Sequence, residues 1–219
     1  MARNVKSPLA ACLACAIALG LLTLLALGFA AGRDVDVRLF LELAEDEPSG
    51  DTLADAIASF GDPLPMLALL VVACLIGLLR GRPRSALAAV LVVVGANVTT
   101  QLLKALLAHP RVKLAISGDP FEPNTFPSGH TTAAASIAVA YAFVAPAALR
   151  DLALTLGAAF ALAVGASVVV IGWHYPSDVL GAYLVVACWG FAVLTVMRAI
   201  APRRPRSVEV SPRTPLPSR

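Results

Sequence analysis

The sequence predicts an all-α, polytopic membrane protein, a bundle of six transmembrane helices. Three observations carry that expectation. Of 219 residues, 58% are hydrophobic and only 14% charged, with a mean hydropathy of +0.81, well above a soluble domain. Six apolar stretches approach the roughly 20 residues that cross about 30 Å of hydrocarbon. They are residues 9–30, 65–79, 85–103, 131–148, 152–172 and 179–197. The basic residues then sort to one side of the resulting bundle.

The first stretch follows Arg3 and Lys6 and closes with the small residues Gly28 and Ala30, as a signal peptide would. Its apolar run exceeds the roughly 7–15 residues of a signal core, so a retained anchor is expected. The second stretch is short, and the arginines at its end would snorkel to the interface. With the amino terminus in the cytoplasm, twelve of the seventeen basic residues fall there, Arg80, Arg82, Arg84, Arg150 and Arg198 among them. Only Asp151 and Glu209 oppose them on that side. The expectation is a multi-pass protein of the cytoplasmic membrane with both termini inside.

Residues 33–62 then lie outside, with nine acids against two arginines. Hydrophobic residues such as Val35, Leu39 and Phe40 sit between the charges, so an interfacial helix covering an external site and a plain solvated loop both remain open. Residues 1–200 make one six-span domain. Residues 201–219, rich in Pro, Ser and Arg, read as a disordered cytoplasmic tail that either contacts anionic head groups or fixes topology. Gly157, Gly165 and Gly181 fall within spans, where small residues let helices approach. Cys12, Cys15, Cys74 and Cys188 also fall within spans and are expected to pack as small hydrophobes; the Cys12/Cys15 spacing lacks the surroundings of a redox or zinc motif. There is no repeat and no nucleotide-binding glycine pattern, and no nucleic-acid partner is expected.

Polar residues gather late in the third stretch, at Asn97, Thr99, Thr100 and Gln101, and at membrane depth such groups usually face the bundle interior. Beyond them lie Lys104 and Arg111, then "PSGH" ending at His130, then "GWHYPSD" with His174 and Asp178. The topology brings these segments out at the extracytoplasmic helix ends, together with all three histidines of the chain, His109 included. Singly, each residue has an ordinary explanation: a capping histidine, a snorkelling lysine, a first-turn acid. Jointly they describe chemistry. Lys104 and Arg111 supply two cations, and a guanidinium matches phosphate oxygens bidentately. Ser128 and Gly129 open the fourth span, whose free N–H groups and dipole favour an anion. His174 and Asp178 are one helical turn apart, and a carboxylate beside an imidazole fixes its tautomer and raises its basicity. His130, from another helix, would be the complementary acid. Two histidines, a carboxylate and two cations point to phosphoryl transfer through a histidine, and no cluster suggests a metal or other cofactor.

The order K-x6-R, PSGH, H-x3-D resembles the three motifs of the type 2 phosphatidic acid phosphatase superfamily, which also includes vanadium haloperoxidases. The resemblance spans Lys104 to Asp178, and six spans agree with the membrane branch rather than the haloperoxidases. It implies hydrolysis of a lipid phosphate or pyrophosphate, such as an isoprenyl pyrophosphate, phosphatidate or phosphatidylglycerol phosphate. His174 would become phosphohistidine and Asp178 would orient it. His130 would protonate the leaving oxygen, while Lys104, Arg111, Ser128 and Gly129 would hold the phosphate.

Two departures stand out. Arg111 is followed by Val112 where the motif has proline, and Val168 occupies the place, six before the histidine, where the third motif carries an arginine. Lys113 and His109 are nearby candidates for a substitute cation. The missing arginine leaves two alternatives beside hydrolysis: transfer to an acceptor other than water, or a catalytically impaired protein that binds lipid phosphates. A transporter is less apt, because transport sites usually sit at mid-membrane.

Overall fold

The computed structural model describes residues 5–44, 53–107 and 126–200, and among these there are helices and no strands. Helix α1, Lys6–Thr23, runs on into a π-helical turn, Leu24–Gly28, and stops at Phe29, whose backbone is extended. Helix α2, Ala30–Leu43, follows. Next come α3, Leu53–Ala58, a 3₁₀ turn, Ser59–Gly61, and α4, Pro63–Leu79. Helix α5 spans Pro83–Leu106 and α6 spans Gly129–Val144. A 3₁₀ turn, Ala147–Leu149, leads into α7, Arg150–Val170, and α8, Pro176–Ala199, ends the described chain.

All six apolar stretches lie in helices, but they do not all have spanning length. Four helical segments are long and apolar enough to cross a membrane: Lys6–Gly28, Pro83–Leu106, Ala147–Val170 and Pro176–Ala199. A fifth is reached if Leu53–Gly61 and Pro63–Leu79, bent by 58° relative to each other, count as one. Helix α6 has only 16 residues. At 1.5 Å per residue it is about 24 Å long, less than the hydrocarbon core. The chain is a multi-pass membrane protein whose shortest central helix carries polar residues instead of an apolar first turn.

Proline at N1 starts α4, α5 and α8, where the missing N–H costs nothing. Side-chain size sets the packing. Alanines and valines make the core between α4, α5 and α6 and between α5, α6, α7 and α8. A side chain at Gly157 would collide with Ala138, and one at Gly181 with Phe126, while Gly165 is pressed against Tyr183. In lipid, close approach of this kind and interhelical hydrogen bonds hold helices together. Between α5 and α6 the Asn97 amide donates to the Ser136 hydroxyl at 3.2 Å, and the Thr100 and Thr132 hydroxyls meet at 2.9 Å. Trp189 Nε1 donates to Thr99 at 2.9 Å. Asn97, Thr99 and Thr100 therefore face neighbouring helices, and each rung leads toward the polar end.

The described parts of residues 33–62 are helical and packed, not a plain loop. Helix α2 buries Asp36 and Phe40 against the turn before α8, and α3 packs on α7. Asp36 accepts hydrogen bonds from the Ser177 N–H and hydroxyl, and the Phe40 and Tyr175 rings stack 4.8 Å apart. The two ends of the chain, including the tail 201–219, lie outside the described residues, as do residues 45–52 and 108–125.

Candidate active site

The turn that carries His174 is set by three backbone features. Gly172 ends α7 with φ +76°, a conformation that side chains disfavour. The N–H groups of Trp173 and His174 then both return to the Val168 carbonyl at 3.0 Å. Tyr175 caps α8, its N–H donating to Asp178 Oδ2 at 3.0 Å. The same oxygen lies 3.3 Å from His174 Nδ1. Asp178 is fully buried, so its carboxylate is held by its own helix start and by the imidazole. With Nδ1–H donating to the carboxylate, the lone pair of His174 resides on Nε2.

The PSGH segment meets this turn directly. The Phe126–Pro127 peptide is cis, and the Ser128 N–H donates to the Asp178 main-chain carbonyl at 3.0 Å. Ser128 is the N-cap of α6: its hydroxyl, fully buried, accepts from the Thr131 N–H at 3.3 Å. It thus holds the helix start in place, and the side chain itself is turned to the helix. Gly129 is open on one side, where a Cβ would lie 3.8 Å from Lys104 Nζ and 3.9 Å from Gln101 Nε2. Lys104, in the last turn of α5, therefore sits over the first turn of α6.

His130 stands across from His174, their ring centroids 6.5 Å apart at 60°. Trp173, partly exposed, packs on the His130 ring at 5.2 Å. Burial pulls the His130 pKa below its usual value, and His174 and Lys104 push the same way. The Asp62 carboxylate opposes them by accepting a hydrogen bond from His130 Nε2–H, with Oδ1 3.1 Å away.

Of the residues expected from the sequence, the fold brings Lys104, Ser128, Gly129, His130, His174 and Asp178 to one end of the bundle. Arg111 lies outside the described residues, with His109 and Lys113. Val168 is fully buried among Ala58, Val169, Ile171 and Val179, so the space beside it is filled by α3. Two residues at this end lie outside every motif, Asp36 and Asp62, and Trp173, inside "GWHYPSD", had no role assigned to it. In the sequence Asp62 is one of nine acids in residues 33–62, and no spacing ties it to His130. Among the described residues no group of three or more His, Cys, Asp or Glu side chains could hold a metal ion.

Comparison with known proteins bears on the fold and the family. The chain superposes on a crystal structure of a transmembrane PAP2-type phosphatidylglycerolphosphate phosphatase from Bacillus subtilis with a TM-score of 0.77. The match covers 89% of this chain and 99% of that one at 21% identity, so the fold is shared. No curated protein matches the chain. A family model for the PAP2 superfamily matches residues 85–202, over half the chain, from α5 through the end of α8 and including the three site segments; the protein belongs to the PAP2 superfamily.

Proposed function

We propose that the protein is a membrane phosphatase that hydrolyses a lipid phosphate or pyrophosphate through a phosphohistidine on His174. One observation carries this reading: the buried Asp178–His174 pair faces His130 across 6.5 Å, with Lys104 beside the open start of α6. The phosphoryl group would enter between the two imidazoles. Lys104 and the Gly129 and His130 N–H groups at the start of α6 would bind its oxygens, with Arg111 as the second cation. His174 Nε2 attacks phosphorus while Asp178 holds Nδ1–H and stabilises the charge that the ring acquires. The P–O bond breaks toward the leaving oxygen, which takes a proton from His130. Water then attacks the phosphohistidine, and His130 receives the water's proton.

Family membership and the shared fold support lipid phosphate as the substrate class. Isoprenyl pyrophosphate, phosphatidate and phosphatidylglycerol phosphate all present such a group on an apolar anchor, and the last is the substrate named for the Bacillus subtilis protein. The basic residues favour cytoplasmic termini and an external site, in a bundle where α3–α4 and the short α6 complete six crossings. Residues 1–200 then form the catalytic domain, with 201–219 as a basic tail. No cofactor is needed for these steps.

Val168 favours a second reading. With an apolar core at that position, this motif contributes one cation fewer to the phosphate, which suits either transfer to an acceptor other than water or a lipid-phosphate-binding protein of impaired catalysis. Phosphate release from the three lipid classes, by detergent-purified protein in the presence of a chelator, tests all of this. Release abolished by His174→Ala supports the phosphatase; binding without release supports the impaired protein, and product on an added alcohol supports transfer.

A further inference from the structure

Asp62 belongs to none of the three motifs and is separated from His130 by 68 positions, yet it makes the His130 hydrogen bond. Its placement is built. The chain bends by 58° between Leu53–Gly61 and α4, and Asp62 is the extended residue at the bend. Gly61 is pressed onto the first turn of α6, where a Cβ would lie 2.7 Å from the Cα of His130. No larger residue fits there, so the backbone of the bend and that of α6 approach as closely as they can. The pair is also not a sealed core contact: the side chains of His130 and Asp62 are 27% and 49% exposed, at the mouth of the site.

The end of the bundle thus holds two carboxylate–imidazole pairs facing each other, Asp178–His174 and Asp62–His130. We propose that Asp62 is the positioning residue of the general acid, holding His130 by Nε2–H so that its Nδ1 proton is the one given away. This rests on the phosphatase reading above. In the first step the His174 Nε2–P bond forms and the P–O bond breaks with its electron pair on the leaving oxygen. The Nδ1 proton of His130 moves to that oxygen, and Nε2–H stays on Asp62. In the second step a water oxygen attacks phosphorus, the N–P bond breaks with its pair returning to His174, and the water's proton goes to His130 Nδ1.

Charge explains the need. Among the described residues His130 feels His174 from the turn before α8 and Lys104 from α5, both opposing its protonation, and Asp62 from the bend, favouring it. Without Asp62 a half-buried imidazole beside a lysine and a second imidazole would seldom hold the proton that it must donate.

The test compares Asp62→Asn, Asp62→Glu and His130→Ala on two substrates without metal: phosphatidate, whose alcohol leaving group needs a proton, and p-nitrophenyl phosphate, whose leaving group does not. Expected for Asp62→Asn is a kcat loss at least about tenfold larger on phosphatidate than on the aryl ester, with the alkaline limb of the pH profile moved to lower pH. Glu at 62 should restore most of the difference. His130→Ala should show the same selectivity, more strongly. If His130→Ala is selective but Asp62→Asn loses both substrates equally, or neither, the role of Asp62 is overturned while the phosphatase stands. If His130→Ala shows no selectivity, or the wild-type protein releases no phosphate from p-nitrophenyl phosphate or from any of the three lipid classes, the reading beneath falls and the inference with it.

Discussion

The main-chain carbonyl of Asp178 accepts the N–H of Ser128 at 3.0 Å, so the cap of α6 and the first turn of α8 are one unit. The residues on either side of that bond are His130 and His174. Their separation is set by backbone, and the side chains need only rotate within a fixed frame.

Asp178 is the first residue to probe. Asp178→Asn keeps the shape but removes the charge that holds Nδ1–H and balances a cationic phosphohistidine. Phosphate release should fall at least about a hundredfold in kcat, with little change in thermal unfolding, because general-base and tautomer effects reach that size. Activity within threefold of wild type would show that His174 does not work through this carboxylate.

Ser128 should behave differently. Ser128→Ala removes the N-cap of α6 and should cost about 1 kcal/mol of stability, measured by thermal unfolding in detergent, because the Thr131 N–H is left without its acceptor. The Ser128 N–H to Asp178 bond is main-chain and survives, so the loss of kcat should be much smaller than for Asp178→Asn.

Asp36 anchors α2 to the start of α8 through two bonds to Ser177. Asp36→Ala leaves a buried N–H and hydroxyl without their acceptor, at a cost of about 1–3 kcal/mol. Faster hydrogen exchange across residues 171–179 is the expected signature. Unchanged exchange there would mean that α2 does not hold the turn.

Val168→Arg looks like a repair of the third motif, and the packing argues otherwise. The side chain at 168 is enclosed by Ala58, Ile171 and Val179, and an arginine would displace α3 or bury its charge without a partner. Lower thermal stability and no gain in kcat/KM are expected; a gain above threefold would show that the guanidinium finds the phosphate.

The pH dependence follows from His130. Its pKa is lowered in the fold, chiefly by burial, so the free protein loses this proton below the ordinary value near 6.5. An acid must carry its proton, hence kcat/KM on phosphatidate should rise as pH falls from 7 toward the His130 value. Stability runs the other way: the unfolded chain binds this proton first, so folding weakens as pH falls through about 6.5. A kcat/KM profile flat between pH 5 and 7 would exclude His130 as the acid.

Much of this was legible in the linear chain because its information is local. Hydropathy located the helices, and H-x3-D puts a carboxylate one turn from an imidazole whatever surrounds them. A serine and glycine before a run of small residues start a helix by capping alone. Span length was less legible, since α6 begins at Gly129 with polar residues and its 16 residues fall short of the core thickness. What no spacing could show lies far apart in sequence: Asp62 on His130, Asp36 on Ser177 across 141 positions, and Ala58 in the space beside Val168. Sequence by itself determined the apolar helices, their order and the three motifs with the H-x3-D spacing, because capping, periodicity and transfer from water act within a few residues. Only the tertiary structure decided which carboxylate meets His130, because that depends on how closely a small residue, Gly61, lets the bend before α4 approach α6.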